Sequence, residues 1–223
     1  MKDFIITIDG ASSSGKSTLA KGLAKHLGFK HIDSGAMYRA LTYYALELQL
    51  LAEDCYKIKE LKSLLPTIKI DFNSDDFVML NGKVIEGKIR SLEVAKYVSI
   101  IAKESIFRKF MVDRQRELGE RGNVVMDGRD IGSVVFPKAE IKFFLEASID
   151  VRTARRFTEL KEKGDVVSYK EVYDNLAKRD EIDSTRLDSP LVKPTNAIVL
   201  SSQESTSENL LAKAIDEIEK KRS

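Results

Sequence analysis

The stretch Gly10-Ala11-Ser12-Ser13-Ser14-Gly15-Lys16-Ser17 decides the fold of this chain, because it matches the pattern G-x-x-x-x-G-K-[ST] in full. An apolar run over residues 4 to 8 precedes it and predicts a buried strand. Apolar residues follow at helical spacing from Leu19 to Leu27, which predicts an amphipathic helix. The pattern requires a strand before the glycine-rich turn and a helix after it, so the stretch is predicted to be a phosphate-binding loop.

The loop predicts a nucleotide site. Its backbone N–H groups, at the positive N-terminus of the following helix, would face phosphate oxygens. Lys16 would reach the β- and γ-phosphates, and the Ser17 hydroxyl would ligate Mg²⁺. The predicted phosphate-binding residues are Gly10, Ala11, Ser12, Ser13, Ser14, Gly15, Lys16, Ser17 and Thr18. An ordinary Gly/Ser turn with a chance lysine is the alternative, and the correct flanks on both sides argue against it.

The composition limits the class of protein. At 223 residues the chain is long enough for one domain with a sizeable core, with or without an insertion. The formal net charge is only +2, so no basic excess predicts binding to nucleic acid or to an anionic membrane. The single cysteine excludes an internal disulfide, and the sequence has no cysteine and histidine cluster typical of zinc. Without a signal-peptide pattern or a run of about 20 apolar residues, a cytoplasmic protein is expected.

The first part of the chain alternates between predicted strands and helices and then changes in character. Residues 30 to 32 predict a short strand, and a helix to about Leu48 follows with Asp33 or Ser34 as its N-cap. Between about 64 and 90, short alternating runs predict strands, and Asn81-Gly82 is typical of a hairpin turn. We therefore predict a small antiparallel sheet inserted into an α/β alternation, with helices at about 91 to 119.

Short apolar runs return in the second half and predict the remaining strands. They cover residues 123 to 126, 141 to 145 and 197 to 200, and helical patterns occupy 149 to 162, 168 to 182 and the C-terminus from near Ser205. Non-alternating strands of this kind are typical of a parallel sheet that is covered on both faces. The predicted fold class is therefore α/β, with a parallel sheet of the P-loop NTPase type and helices on both of its faces.

The segment Asp127-Gly128-Arg129-Asp130 follows directly on one of these strands. It is therefore expected at the carboxyl edge of the sheet, where open α/β folds bind their ligands. Arg129 can meet a phosphate there, and Asp127 has the position of an acidic residue that holds Mg²⁺ directly or through water. An ordinary Asp-Gly turn is the alternative.

Further arginines cluster in the last third of the chain. Arg152, Arg155 and Arg156 have i, i+3 and i+4 spacing and are predicted to share one face of a helix. Arg179-Asp180 and Asp183-x-x-Arg186 add two more arginines on a later helix and its exit. A phosphoryl group in transfer needs such a shell of positive charge. A surface ion-pair network with nearby glutamates is the alternative for the first group.

Neither histidine is predicted to take part in the chemistry. His26 lies among polar residues of the first predicted helix, and His31 begins a short strand with no evident partner. A phosphate acceptor explains why no histidine base is needed. Its second pKa of about 6 leaves it largely a dianion at neutral pH, so it can attack unaided.

Several further motifs occur together over essentially the whole chain. They are Ile8-Asp9-Gly10 ahead of the loop, Asp33-Ser34-Gly35-Ala36-Met37-Tyr38-Arg39, Ile89-Arg90 with Val94, Arg108 with Arg114-Gln115-Arg116, Asp127-Gly128-Arg129-Asp130-Ile131-Gly132, Val134-Val135-Phe136-Pro137 and Arg179-Asp180-x-x-Asp183-x-x-Arg186. With these motifs the chain resembles the bacterial cytidylate kinases, a family of nucleoside monophosphate kinases. The resemblance implies transfer of the γ-phosphoryl group of ATP to CMP or dCMP, with Mg²⁺ as cofactor.

The resemblance also implies roles for individual residues. The implied catalytic residues are Lys16, Arg129, Arg186, Arg152 and Arg156, and the implied CMP-binding residues are Ser34, Arg39, Ser99, Arg108, Arg129, Asp130, Arg179, Asp183 and Arg186. Among them, Arg39, Arg129 and Arg186 would bind the acceptor phosphate. The sugar would meet Ser34, Arg179 and Asp183, and cytosine would be read by Ser99, Arg108 and Asp130.

The implied organisation is a single P-loop kinase domain over residues 1 to 223. An insertion at about 64 to 99 would bind CMP, and a helical arginine lid at about 150 to 186 would cover the donor phosphates. A monomer is expected, as in the related kinases.

Two other classes of function remain open on the sequence alone. One is another monophosphate kinase, of the adenylate or uridylate type, or a small-metabolite kinase of similar fold, against which the cytosine-reading residues argue. The other is a regulatory GTPase or nucleotide switch, which begins with the same loop. A GTPase would need an Asn-Lys-x-Asp guanine signature, and the sequence does not contain one.

Overall fold

The strand, loop and helix predicted around residue 10 are present in the computed structural model, which describes residues 4 to 53, 55 to 203 and 205 to 222. In chain order the elements are β1 (Ile5–Gly10), α1 (Lys16–Leu27), β2 (Lys30–Asp33), α2 (Ser34–Glu47), β3 (Leu51–Ala52), β4 (Cys55–Tyr56), α3 (Ile58–Leu64), β5 (Ile70–Phe72), β6 (Val78–Leu80), β7 (Lys83–Val84), α4 (Leu92–Lys103), α5 (Ser105–Gly119), β8 (Val124–Gly128), β9 (Ile141–Glu146), α6 (Ile149–Glu162), α7 (Tyr169–Thr185), β10 (Ile198–Ser201) and α8 (Ser207–Arg222).

The chain divides into two units. The first contains the chain up to His31 and again from Gly122 onward, and the second runs from Ile32 to Arg121. Within the ranges that the structure describes, no helix combines the length and the hydropathy needed to cross a membrane.

The strands β10, β9, β1 and β8 form the centre of the first unit, and β2, which begins in this unit at Lys30, completes the sheet order β10-β9-β1-β8-β2. β1 lies between β8 and β9 and is parallel to both, with Ile6 opposite Val125 on one side and Ile141 on the other. β10 is parallel to β9. The α/β prediction of a parallel sheet flanked by helices is confirmed.

Apolar side chains of α1 and α8 cover one face of this sheet. The buried residues of this core are Ile6, Ile8, Leu19, Ala20, Leu23, Ala24, Val125, Ile141, Phe143, Leu145, Leu200, Leu210, Ala214 and Ile218. Ile6 and Ile8 have no exposed surface, because β1 is the middle strand of the sheet. The apolar run ahead of the loop is therefore the centre of the hydrophobic core.

The sequences of α6 and α7 supply their own N-caps. The Ser148 hydroxyl accepts from the Val151 N–H at the start of α6. At α7, Ser168 and Glu171 form a capping box in which each side chain accepts from the other's backbone N–H. α6 and α7 pack together through Leu160, Val172 and Leu176. This helix pair is the segment that the resemblance identifies as the lid.

The second unit contains the predicted antiparallel sheet. β5, β6 and β7 pair in sequence order, and Asn81 and Gly82 join β6 to β7 with φ values of 48° and 79°. Positive φ at both positions is the requirement of a type I′ turn, which the sequence predicted. Asp33 is the N-cap of α2, since its carboxylate accepts from the Ala36 N–H at 2.9 Å.

Asp9 is an ionisable group with no exposed surface, near the end of β1. Its carboxylate accepts from the backbone N–H groups of Ile131 at 2.8 Å and Gly132 at 2.7 Å. Burial raises the pKa of Asp9 to about 7, against the opposing effect of these two N–H groups and of the Lys16 charge. Asp9 therefore binds the segment that follows Asp130 to the central strand of the sheet.

Replacing Asp9 by asparagine is expected to change how stability depends on pH. The pKa of Asp9 is about 7 in the folded protein against 3.8 for an ordinary carboxyl, so its contribution to stability is complete below about pH 3.8 and is lost as the pH rises through 7. Asparagine does not titrate. The advantage of the wild type over Asp9→Asn in free energy of unfolding should shrink by up to about 4 kcal/mol between pH 4 and pH 8.

Urea unfolding of both proteins at four or five pH values measures this difference. The exposed Asp113 supplies the control variant Asp113→Asn, whose difference from the wild type should not vary in this way. A pH-independent difference for Asp9→Asn would contradict the assignment.

Candidate active site

The phosphate loop passes very close to the neighbouring strand. A Cβ on Gly10 would lie 2.6 Å from the carbonyl oxygen of Leu145 in β9, so only glycine fits at that position. Gly15 has φ of +92° immediately before α1, a conformation that favours glycine. The close approach at Gly10 and the positive φ at Gly15 thus explain both glycines of the motif. The loop leads directly into the positive end of α1.

Two carbonyl oxygens of the loop bind to side chains that come from elsewhere in the first unit. Arg152 donates to the carbonyl of Ser12 at 3.3 Å, and the Ser202 hydroxyl donates to the carbonyl of Ser14 at 2.7 Å. In a trans peptide the N–H that follows a carbonyl points the opposite way. The N–H groups of Ser13 and Gly15 are thus directed away from these partners, as a phosphate cradle requires.

Lys16 and Thr18 differ in environment. Lys16 is the first residue of α1, is 8% exposed, and donates from Nζ to the carbonyl of Ala11 at 3.0 Å. Its ammonium group therefore lies over the loop, in reach of any phosphate bound there. Thr18 is exposed on the first turn of α1, with its backbone N–H at the helix N-terminus.

The predicted metal ligands lie together. The Ser17 hydroxyl donates to Oδ2 of Asp127 at 2.6 Å. Asp127 is still part of β8, where it pairs with Ile8 of β1, and does not lie in a turn after the strand. Oδ1 of Asp127 contacts Nε2 of His31 at 2.8 Å, and both side chains are 1% exposed. A hydroxyl and a carboxylate are oxygen donors of the kind that Mg²⁺ prefers.

The rest of a magnesium shell would come from phosphates and water. Among the described residues, no group of three or more His, Cys, Asp or Glu side chains could hold a metal ion. Magnesium usually binds through one or two protein side chains and through substrate phosphates, keeping several waters. The pair of Ser17 and Asp127 fits that mode.

Arg129 and Arg186 converge on one carboxylate of α7. Arg129 Nε donates to Oδ2 of Asp183 at 2.8 Å, and Arg186 Nη1 donates to Oδ1 of Asp183 at 3.2 Å. Nη2 of Arg186 also lies 3.9 Å from Oδ1 of Asp130. Burial alone would raise the pKa of Asp183, but the charges of Arg129 and Arg186 hold it below its usual range.

This cluster brings together five of the residues predicted to meet the acceptor: Arg129, Asp130, Arg179, Asp183 and Arg186. Arg179, also on α7, is half-buried and contributes positive charge near Asp183. Asp183, which the resemblance assigns to the sugar, binds two arginines in this structure. Its carboxylate offsets their charges and limits their mutual repulsion.

The three arginines of α6 do not share one environment, although their spacing places them on neighbouring positions. Arg152 is 5% exposed and binds Asp180 at 2.6 Å as well as the carbonyls of Ala147 and Ser12. Arg155 binds the hydroxyl and carbonyl of Ser202. Arg156 pairs with Glu159 at 2.7 Å, the surface ion pair that was the alternative for this group.

The other predicted CMP-binding residues belong to the second unit. Ser34 is buried as the first residue of α2, and Arg39 on the same helix binds Asp33 at 2.8 Å. Arg108 on α5 is 3% exposed, with its guanidinium 5.7 Å from the centre of the Tyr38 ring and a bond to the carbonyl of Ala102 at 3.1 Å. Ser99 is half-buried on α4.

A cavity of about 390 Å³ adjoins the phosphate loop in the first unit. Its walls are mostly apolar and include a few polar side chains. The lining residues are Ala11, Phe144, Leu145, Glu146, Ala147, Ser148, Leu191, Ser201 and Gln203. Its volume lies within the range of small-molecule sites.

Three residues of the site were given no site role by sequence reasoning: His31, Asp180 and Ser202. Each binds a predicted site residue, and each does so over a long separation in the chain, as with the 96 positions between His31 and Asp127. No local pattern signals such a pair. The prediction that His31 has no partner is wrong, because burial within the first unit places it against Asp127.

Comparison with known proteins agrees with these features. The family model described as "Cytidylate kinase" matches residues 6 to 220. The cytidylate kinase of Flavobacterium johnsoniae is 45% identical over 221 residues, covering 97% of this chain and 96% of that protein. The cytidylate kinase of Flavobacterium psychrophilum is 47% identical over 203 residues, covering 89% and 90%.

Among solved structures, an uncharacterised protein from Eubacterium ventriosum shares the fold. Its TM-score is 0.53 at 15% identity, and the match covers 98% of this chain and 99% of that one. Because the family model and the two relatives match nearly the whole chain, this protein belongs to the cytidylate kinase family.

Proposed function

We propose that this chain transfers the γ-phosphoryl group of ATP to CMP or dCMP, releasing ADP and CDP or dCDP. CMP phosphotransfer is the activity that the family membership supports, and the chain is a kinase. The observation that carries the assignment is the combination, in one unit, of a complete phosphate loop with an arginine cluster at Asp183. Neither a monophosphate kinase of another specificity nor a GTPase is favoured by any feature described above.

On the donor side, backbone N–H groups of residues 10 to 18 and the Lys16 ammonium would bind the β- and γ-phosphates of ATP. The contact between Lys16 and the Ala11 carbonyl, at 3.0 Å, supports this role because it holds the ammonium over the loop. Arg152 and Arg156 of α6 would add positive charge as the γ-phosphoryl group leaves. We assign the cavity beside Ala11 to the base and sugar of ATP.

On the acceptor side, Arg129, Arg186 and Arg39 would bind the phosphate of CMP. Because that phosphate is already largely a dianion at neutral pH, it needs no protein base, and the residues act by positioning and by charge. Ser34, Arg179 and Asp183 would contact the sugar. The bonds from Asp183 to Arg129 and Arg186 support a second role, in which it fixes the direction of both guanidinium groups.

Magnesium would be held by Ser17, and by Asp127 directly or through water. When bound with ATP, it supplies charge neutralisation at the phosphate oxygens. The described residues then have separate tasks: the loop and Lys16 bind, the arginines orient and neutralise, and Asp127 holds the Ser17 hydroxyl in place.

The proposed organisation is one kinase domain with two specialised segments. Residues of about 64 to 99 would form the CMP-binding insertion, and residues of about 150 to 186 would form the lid. We also propose that the enzyme is a monomer that works in the cytoplasm, and that it binds neither nucleic acid nor membrane.

Cytosine would be read by Ser99, Arg108 and Asp130. The exocyclic N4 amino group of cytosine is a donor that a carboxylate can accept, and N3 and O2 are acceptors suited to a guanidinium. Uracil has an acceptor in place of the amino group and would face Asp130 unfavourably. A buried polar group left without its partner gives strong rejection of a near-isostere.

Replacing Lys16 by alanine should lower kcat/KM for CDP formation at least about 100-fold, because a charge aimed at the transferring phosphoryl group is lost. The measurement is a coupled assay with ATP, CMP and magnesium. Lys21→Ala, an exposed lysine of the same helix, is the matched control and should retain wild-type rates. Full activity in Lys16→Ala, or no CDP from the wild type, would refute the proposed function.

Replacing Asp130 by alanine should depress kcat/KM for CMP far more than for UMP, since only cytosine offers the amino donor. We expect a loss of about 100-fold for CMP and about tenfold or less for UMP. Arg39→Ala is the comparison variant. It removes a phosphate contact common to both substrates and should lower both values alike. Equal losses in Asp130→Ala would show that Asp130 does not read the base.

A further inference from the structure

His31 is a buried histidine that directly contacts a predicted metal ligand. It lies in β2 with 1% of its surface exposed, and its Nε2 is 2.8 Å from Oδ1 of Asp127. An ionised carboxylate only accepts, so the hydrogen of this bond belongs to Nε2 of His31. The ring therefore holds one oxygen of Asp127 from the side of β2.

The other oxygen of Asp127 faces the phosphate loop. Oδ2 accepts from the Ser17 hydroxyl at 2.6 Å, so a continuous chain of two hydrogen bonds runs from His31 through Asp127 to Ser17. Because Asp127 is itself 1% exposed, water does not compete freely for the two oxygens. With Oδ1 bound by His31, the carboxylate has one fixed rotation that presents Oδ2 to Ser17.

We infer that His31 is a positioning residue for the magnesium site. It acts through Asp127, whose orientation determines how the Ser17 hydroxyl is presented to the metal. This inference rests on the assignment of Ser17 and Asp127 to Mg²⁺ in the proposed function. Partners that orient metal ligands in this way typically change metal affinity by about 10- to 100-fold when they are lost.

Three substitutions at His31 test the role. His31→Leu removes the donor and keeps an apolar side chain in the core, and His31→Asn keeps an amide that is too short to reach Asp127. His31→Gln can place an N–H close to the position of Nε2 and should restore the bond. His26→Leu is the matched control, since His26 is exposed on α1.

The readout is the affinity for Mn²⁺ in the presence of ATP, measured by electron paramagnetic resonance of the free ion, with no turnover required. We expect His31→Leu and His31→Asn to weaken binding about 10- to 100-fold and His31→Gln to lie within about threefold of the wild type. Thermal unfolding of each variant is measured alongside. A merely structural histidine would lower the melting temperature and leave the Mn²⁺ affinity of the folded protein unchanged.

Two further variants separate this inference from the function on which it rests. Ser17→Ala and Asp127→Asn should each weaken Mn²⁺ binding, and if neither does, the magnesium assignment itself is wrong. If both weaken it while folded His31→Leu or His31→Asn binds Mn²⁺ as tightly as the wild type, the magnesium site stands and the positioning role of His31 is overturned. Failure of His31→Gln to restore the affinity lost in the other two variants would also overturn it.

Discussion

Repulsion between closely spaced guanidinium groups is the constraint on which the site depends. A protein that binds phosphate groups must hold several positive charges at short distances before any phosphate arrives. In the first unit, α7 meets this constraint with two carboxylates one helical turn apart: Asp180 binds Arg152, and Asp183 binds Arg129 and Arg186. The lowered pKa of Asp183 reflects the same balance of charges. One helix thereby orients arginines proposed for both the donor and the acceptor.

Hydrogen bonds from outside the motif also shape the phosphate loop. The two glycines explain why the backbone can turn, but they do not by themselves determine which way the peptide groups point. The Ser12 and Ser14 carbonyls are bound by Arg152 and Ser202, and these bonds direct the N–H groups of Ser13 and Gly15 to the opposite side. Asp9 plays a comparable part at the end of β1, where it holds the backbone that follows Asp130.

Much of the fold could be predicted from the sequence because its signals are local. The strand before the loop, the Asp33 cap, the Asn81-Gly82 turn and the helix at 149 to 162 each depend on residues a few positions apart. The partners of the site residues could not be predicted in this way. His31 meets Asp127, and Arg152 meets Ser12 across 140 positions, only because the sheet order and the packing of α6 bring those segments together. Helical spacing likewise placed Arg152, Arg155 and Arg156 side by side, whereas burial determines that Arg152 points inward.

The bond between Arg152 and the Ser12 carbonyl makes the loop of residues 10 to 17 and α6 one thermodynamic system. Any rotation of α6 that moves the guanidinium must also change the hydrogen bonding of the loop peptide, and a ligand that stabilises one loop conformation favours the matching helix position. Linkage requires this coupling to be reciprocal, so a ligand of the loop that binds more tightly with α6 in one position favours that position by the same factor. A single side chain is therefore sufficient to couple the loop to α6.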